Sequence, residues 1–386
     1  MKTIVWRVAR RSLALASVRY RALLPALSLQ THGFRSLIAD KASPMPWDQA
    51  DLVVFSKAFG AVDVAAAQTA HERGVPIALD LCDNIFLPAY GANSKPRPAD
   101  AFLQMAGVAS LITCTTEPMA QLIREHVGRS AQVCVVPDSV EDEALVRQQK
   151  ALLDVPLSAP GTARVALKPV VASARIWLMD QFRRLSHRSI SNASGISAGP
   201  GVGDHVTPLT NKTIIWFGNH GSEHGDHGLN DILRFQAALE SASKAHNAGL
   251  LVVSNHRPRF DQLIAPLAMP TQYIEWSPGA LAQALQAADV TIVPNSLDAF
   301  SIGKSANRSV MSICAGVPVV ATPTSALEPL AGAVWTDDPA TGLSVYLASP
   351  EQAERDVQLG RSLVEKTFSL SAVGRQWQAC FAPLLS

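Results

Sequence analysis

No cysteine of this 386-residue chain belongs to a C-x-x-C pair: Cys82, Cys114, Cys134, Cys314 and Cys380 are scattered, odd in number and mostly flanked by apolar residues. That excludes a disulfide framework or a thiolate zinc site and reads as buried free thiols in a reducing cytosol. Charge is scarce as well, at 17% of residues with a net +1, which leaves no global bias toward nucleic acid. Long apolar runs are missing. The longest charge-free stretch, Ser309 to Leu327, is broken by Gly316, Pro318 and Pro323, so it does not resemble a ~20-residue membrane-spanning helix. Acids are absent before Asp40, while Arg7, Arg10, Arg11, Arg19 and Arg21 precede it. Those arginines interrupt any apolar signal-peptide core, and TIVWRV (Thr3 to Val8) alternates like an opening strand, which sets it against a transit peptide. The expected location is cytoplasmic, with peripheral contact at the inner face of a membrane left open.

What is present is an alternation. At ~100–200 residues per domain the length suggests two domains. Short β-branched runs punctuate the first part: TIVWRV, LVVF (Leu52 to Phe55), VPIALD (Val75 to Asp80), SLITC (Ser110 to Cys114) and QVCVV (Gln132 to Val136). Helical stretches such as AVDVAAAQTAHERG, closed by Gly74, lie between them. A second series follows in TIIWF (Thr213 to Phe217), GLLVVS (Gly249 to Ser254), QYIEW (Gln272 to Trp276), DVTIVP (Asp289 to Pro294), VPVVA (Val317 to Ala321) and AVWT (Ala333 to Thr336). Ser277-Pro278 and Ser349-Pro350 supply N-caps with first-turn prolines. Continuous apolar strands alternating with helices imply α/β architecture: two Rossmann-like, doubly wound parallel sheets facing across a cleft.

The expected division is an N-terminal domain over 1–140, an irregular insertion over 141–209, a C-terminal domain over 210–365, and a final helix over 366–386 packing back toward the first domain. Within the insertion, Ile176, Trp177, Met179 and Phe182 would form the apolar side of a helix surrounded by Arg175, Arg183, Arg184 and Arg188, followed by the linker SNASGISAGPGVGD. Such a helix suits either an anionic membrane surface or a groove of its own protein.

Open parallel sheets bind ligands beyond the carboxyl ends of their strands. After DVTIVP comes NSLDAFSIGKSANRSVMSICAG, where Gly303, Lys304, Ser305, Ala306, Asn307 and Arg308 are expected to open a helix. Its first-turn N–H groups carry partial positive charge, and Lys304 and Arg308 add two cations four residues apart, a combination suited to a diphosphate. In the first domain Asp80 and Asp83 follow VPIALD. Asp83 reads as a base toward an acceptor hydroxyl or as a loop cap. Arg19 and Arg21 read as contacts for a leaving phosphate or an anionic acceptor, or as solvated surface cations.

The run KSANRSVMSICAGVPVVATPTSALEPLA, preceded by ADVTIVPNS, resembles the donor-binding segment of GT-B-fold glycosyltransferases, in particular glycosyltransferase family 4 and its relatives in bacterial polysaccharide synthesis. RYRALLPALSLQTHGF, ADLVVFSKAF, GVPIALDLCDN and LITCTTEPMAQLIREHV follow in that family's order. The resemblance implies sugar transfer from a nucleotide-diphosphate sugar to a glycan or lipid-linked hydroxyl acceptor, with no cofactor and no metal. Lys304, Ser305, Asn307 and Arg308 would contact the diphosphate or sugar, and the loop from Asn295 to Ile302 would shape specificity. Two family glutamates are missing, with Gly303 and Met311 at their positions, and Asn219 and His220 stand where the family carries Arg and Lys. A catalytically silent nucleotide- or glycan-binding protein is therefore a second reading.

WFGNHGSEHGDHGLND (Trp216 to Asp231) brings together His220, His224, His227, Glu223 and Asp226. A metal-dependent hydrolase is the third reading. The cluster lacks H-E-x-x-H spacing and is rich in glycine, so close approach of backbone to substrate fits it better. Gly218, Asn219 and His220 are then the expected contacts, with His224 and His227 at the cleft edge.

Overall fold

The computed structural model describes residues 1–157, 210–221, 227–301 and 303–385. The basic helix and Ser/Gly linker expected within the insertion, and Glu223, His224, Gly225 and Asp226 of the histidine loop, lie outside the described residues.

Two sheets organise the chain. The first comprises β1 (Thr3–Val8), β2 (Arg35–Asp40), β3 (Leu52–Ser56), β4 (Ile77–Leu81), β5 (Leu111–Cys114) and β6 (Val133–Val135), in the order β2-β1-β3-β4-β5-β6. The second comprises β7 (Lys212–Phe217), β8 (Ala248–Ser254), β9 (Thr271–Glu275), β10 (Val290–Val293), β11 (Val319–Ala321) and β12 (Val334–Trp335), in the order β12-β11-β10-β7-β8-β9. Every pairing is parallel. Residues of β1, β3, β4, β5, β8 and β10 are buried throughout, which is why they read as unbroken apolar runs. In each sheet the strand order reverses once, between β1 and β3 and between β7 and β10, and loops diverge there to leave a crevice.

The local signals operate as the sequence implies. Ser277 and Ser349 cap their helices by accepting from the N–H groups of Ala280 and Gln352. Thr116 likewise accepts from Met119 N–H. The segment from 141 departs from the expected irregularity: Glu143–Leu153 is a helix, capped by Asp142 accepting from Leu145 N–H at 2.7 Å. Its Leu145 and Leu152 complete the core that contains Trp6 and Leu27.

The last two helices divide between the domains. Pro350–Phe368 buries Val364 and Phe368 against Ile313 and Leu330 of the second domain. After Ser369 the helix Leu370–Leu385 crosses to the first. Trp377 meets Trp6 edge-on at 5.6 Å between ring centroids, and Phe381 lies 6.0 Å from the same ring. Gly374 is required for this approach, because a Cβ there would fall 1.7 Å from Ser28 Oγ.

Beneath Trp377 lies Arg21, 1% exposed, on the π-helical turn Arg19–Leu23. Its Nη2 donates to Asp80 Oδ1 at 2.6 Å, and its Nη1 donates to Val136 O at 2.7 Å and Asp138 Oδ1 at 3.1 Å. Asp80 also accepts from Ser56 and Thr113, and Asp138 Oδ2 accepts from Asn307 Nδ2 of the second domain at 2.7 Å. Removing one partner of such a buried network strands the others without solvation. Arg21→Met should therefore lower unfolding free energy by about 3–5 kcal/mol, read from urea denaturation; a loss under about 1 kcal/mol, the scale of a solvated pair, would contradict the burial argument.

Candidate active site between the two domains

The loops at the second sheet's switch point, after β7 and after β10, are fastened together by Asp231. Its Oδ2 accepts from Gly228 N–H at 2.9 Å and its Oδ1 from Ser296 N–H at 3.0 Å, and the residue is 1% exposed. Asp298 folds the second loop on itself, accepting from the N–H groups of Phe300 and Ser301 and from Ser296 Oγ. Burial would push the Asp298 carboxyl up, but these hydrogen bonds reverse the effect and hold it below the usual carboxylate range.

On this frame the two expected cations converge. Arg308 donates from Nη2 to Asn295 Oδ1 at 2.6 Å, and its guanidinium lies 5.9 Å from the Trp216 ring centroid. A Cβ on Gly218 would meet the Trp216 ring at 3.2 Å and Arg308 Nη1 at 3.8 Å, which places Gly218 at the same spot. Lys304 Nζ sits 4.8 Å from the centroid of Phe300, whose ring is itself 4.7 Å from that of His227. Among the described residues neither cation forms an ion pair with a carboxylate. Burial, and then the neighbouring Arg308, push the Lys304 ammonium below its ordinary value; burial likewise lowers Arg308. His227 is lowered by burial and by Lys304, which favours its neutral form.

Some placements differ from expectation. The helix begins at Asn307 with Ala306 as an N-cap that makes no side-chain hydrogen bond, so Lys304 and Ser305 lie in the preceding loop while Arg308 is in the first turn. Asn307 is committed to Asp138, and Asn295 to Arg308. Arg19 and Arg21 are each paired with carboxylates, and Arg19 also lies 5.9 Å from the Trp276 ring centroid of the second domain. Arg19 pairs with Glu141 at 3.0 Å and donates to Leu13 O, and Arg21 is enclosed by Asp80 and Asp138. Asp83 is half-buried and paired with Lys57. His220 leans on Asn255, whose Oδ1 faces both its backbone N and its Nδ1, and stacks on His256 at 4.7 Å; Asn219 is exposed beside it. The glycines of this loop serve a different contact from the one expected: a Cβ on Gly221 would meet His227 O at 2.2 Å, and one on Gly228 would meet Gly221 N at 2.4 Å, so the close approach is of the loop to itself. Among the described residues no group of three or more His, Cys, Asp or Glu is placed to hold a metal.

The first domain closes over this region. Thr116 Oγ1 donates to Gly303 O at 3.1 Å, Asn84 Nδ2 to Ala299 O at 2.9 Å, and the Tyr20 hydroxyl to Met311 Sδ at 3.5 Å. The two positions expected to carry glutamates thus face the first domain. A Cβ on Gly303 would already meet the Met119 methyl at 2.7 Å, and Met311 is turned to Tyr20. Lys57, Phe300, Asn255, His256 and Asp138 were not legible as site residues. Asp231 gave a signal, the capping position of GLND before a helix.

No family model matches the sequence, and no curated protein sequence matches it. Solved structures match over the whole length. HepE of Anabaena, in complex with UDP and glucose, superposes at a TM-score of 0.61 with 11% identity, covering 99% of this chain and 100% of that one. A glycosyltransferase of Rickettsia africae does so at 0.60 with 13% identity, over 100% and 99% of the two chains. The sucrose-phosphate synthase of Thermosynechococcus elongatus gives 0.58 and 12%, over 100% and 99%. The chain has the GT-B fold. At these identities the likeness is one of architecture, and within the GT-B frame the site described above lies in the groove between the domains.

Gly221 and Gly228 have φ of +92° and +79° and no room for a side chain. Gly228→Ala should cost roughly 2 kcal/mol of stability, combining left-handed strain with overpacking. Equal urea midpoints for variant and wild type would refute the close crossing.

Proposed function

We propose that the chain transfers a sugar from a nucleotide-diphosphate sugar to a hydroxyl acceptor. One observation carries this reading: Lys304 and Arg308 are gathered in partial burial and, among the described residues, neither forms an ion pair, whereas Arg7, Arg19 and Arg21 each do. Burying like charges together is unfavourable unless a ligand supplies the anion. A diphosphate satisfies both cations and the uncapped N–H groups of the helix Asn307–Ala315. As the sugar–phosphate bond breaks, negative charge grows on the departing diphosphate, where these fixed donors stabilise the transition state more than the ground state. The Gly218 backbone leaves space beside Arg308, and Ser305, next to Lys304 in sequence, and His220, two residues after Gly218, are proposed as further substrate contacts. Partial support for a uridine nucleotide comes from HepE, whose structure holds UDP and glucose.

A second reading has its own observation. Gly303 and Met311 contact the first domain where the resemblance implies two glutamates, the one at Met311 bonding the ribose, which favours a GT-B protein that binds nucleotide without turnover. The acceptor is proposed as a glycan or lipid-linked hydroxyl. Among the described residues no helix is long and apolar enough to cross a membrane, and peripheral membrane contact is part of the proposal.

Turnover against a panel of nucleotide sugars, with and without EDTA, tests the reading. Activity that persists in EDTA, and falls about a hundredfold or more in Lys304→Ala and Arg308→Ala, is the expected result. Nucleotide binding without turnover of any donor would favour the silent protein, and loss of activity in EDTA would restore the metal reading.

Binding should also depend on pH through Lys304. The ammonium is the binding form and its folded value lies below the ordinary 10.5, so nucleoside diphosphate affinity is full at neutral pH and declines as pH rises through that lowered value. In Lys304→Arg the alkaline decline should move upward, since guanidinium stays charged. Calorimetric titration of both proteins across alkaline pH checks the direction, and superimposable profiles would remove Lys304 from the anion site.

A further inference from the structure

The first sheet has a switch point of its own, between β1 and β3, and Lys57 follows β3 directly. Its φ is +48°, a left-handed conformation that crowds any residue with a Cβ. Among the described residues the other non-glycine with positive φ is Asn247, which ends a helix, a position where asparagine is commonly found. Lysine has no comparable preference, and strain of this kind persists where the surroundings require the side chain to be in one place.

Those surroundings are specific. Lys57 Nζ pairs with Asp83 Oδ2, and its charge acts on the Tyr90 hydroxyl. The Lys57 and Asp83 side chains are 24% and 27% exposed, so the pair is sheltered but reachable. Asn84, the next residue, donates across the cleft to Ala299 O, and the field of Asp83 reaches Lys304. Among the described residues Asp83 Oδ1 receives no hydrogen bond. Burial pulls the Lys57 ammonium down, but Cys82, Asp83 and Tyr90 more than reverse this, so Lys57 remains a cation. A surface ion pair would explain the contact but not the left-handed backbone that delivers it.

We propose that Lys57 is the acceptor-side positioning residue: its ammonium holds Asp83 by Oδ2 and presents Oδ1 to the acceptor hydroxyl. This rests on the transferase reading above. In the step so arranged, the acceptor oxygen forms a bond to the anomeric carbon. The bond from that carbon to the diphosphate oxygen breaks with its electron pair on the diphosphate, and the hydroxyl proton passes to Asp83 Oδ1.

The test uses the full chain with a donor and acceptor that the panel shows to be active, measuring kcat and the KM of each substrate for wild type, Lys57→Met, Lys57→Arg, Lys57→Gly and Asp83→Asn. Lys57→Met should lower kcat for transfer about a hundredfold while leaving donor KM within about twofold. Lys57→Arg should recover most of the loss, and Lys57→Met combined with Asp83→Asn should be no slower than Asp83→Asn alone. Lys57→Gly accepts the backbone conformation without strain; it should melt no lower than Lys57→Met and be equally slow, which separates lost positioning from lost folding. Lys57→Met with kcat within about twofold of wild type, or with donor KM and melting temperature degraded in parallel, overturns the proposal and leaves the transferase reading standing. A wild-type chain that turns over no donor overturns both.

Discussion

One guanidinium organises the first domain where it meets the second. Arg21 is the cation between Asp80 at the carboxyl end of β4 and Asp138 after β6, and Asp138 passes the connection to Asn307 at the start of the helix that carries Arg308. Three ionised groups removed from water gain little net stability, because desolvation offsets most of their attraction. What they supply is selectivity of arrangement within the first domain, since displacing β4 or the segment after β6 leaves a charge unpaired in a nonpolar setting, and a shift of the second domain forfeits the Asp138–Asn307 hydrogen bond. Ser56 and Thr113 satisfy Asp80's remaining acceptor positions, and the Trp377 ring covers the guanidinium at 5.0 Å.

The distribution of cations across the cleft follows from this. The first domain neutralises its buried arginines internally, Arg7 with Asp63, Arg19 with Glu141 and Arg21 with two aspartates. The second leaves Lys304 and Arg308 facing aromatic rings and an amide. Aromatic faces attract cations without cancelling their charge. Stability and ligand affinity are therefore separated in space, with the cost of uncompensated charge confined to one helix start.

Much of the architecture was legible because buried parallel strands expose neither face, so eight strands with full or near-full burial, β1, β3, β4, β5, β7, β8, β10 and β11, announce themselves as β-branched runs, from TIVWRV to VPVVA. β2, RSLIAD, escaped because its ends are charged, which leaves an apolar run of only a few residues after the turn at Gly33. The helix Glu143–Leu153 escaped for a different reason: its apolar residues fall in two triplets on either side of RQQK, and only the first domain's core reveals which side is inside. Lys304 and Arg308 were visible as a local pattern, four residues apart. Arg19 and Arg21 looked equally available, since their carboxylate partners lie 59 to 122 residues away and no local spacing encodes such pairings. Lys57 gave no signal at all, because a backbone dihedral is not written in the residue type that adopts it. The loop glycines were expected to let backbone approach a substrate, whereas Gly221 and Gly228 let the loop approach itself, because a glycine does not say what it approaches.

The crossing of Leu370–Leu385 onto the first domain carries a temporal consequence. Trp377 and Phe381 pack on Trp6, whose strand is synthesised before any of the second domain. On the ribosome the N-terminal sheet must wait, with Trp6 and the Arg21 cluster incompletely covered, while the whole second domain is made. The order of translation and the order of core completion thus run in opposite directions, and the amino-terminal half is the client that needs protection longest.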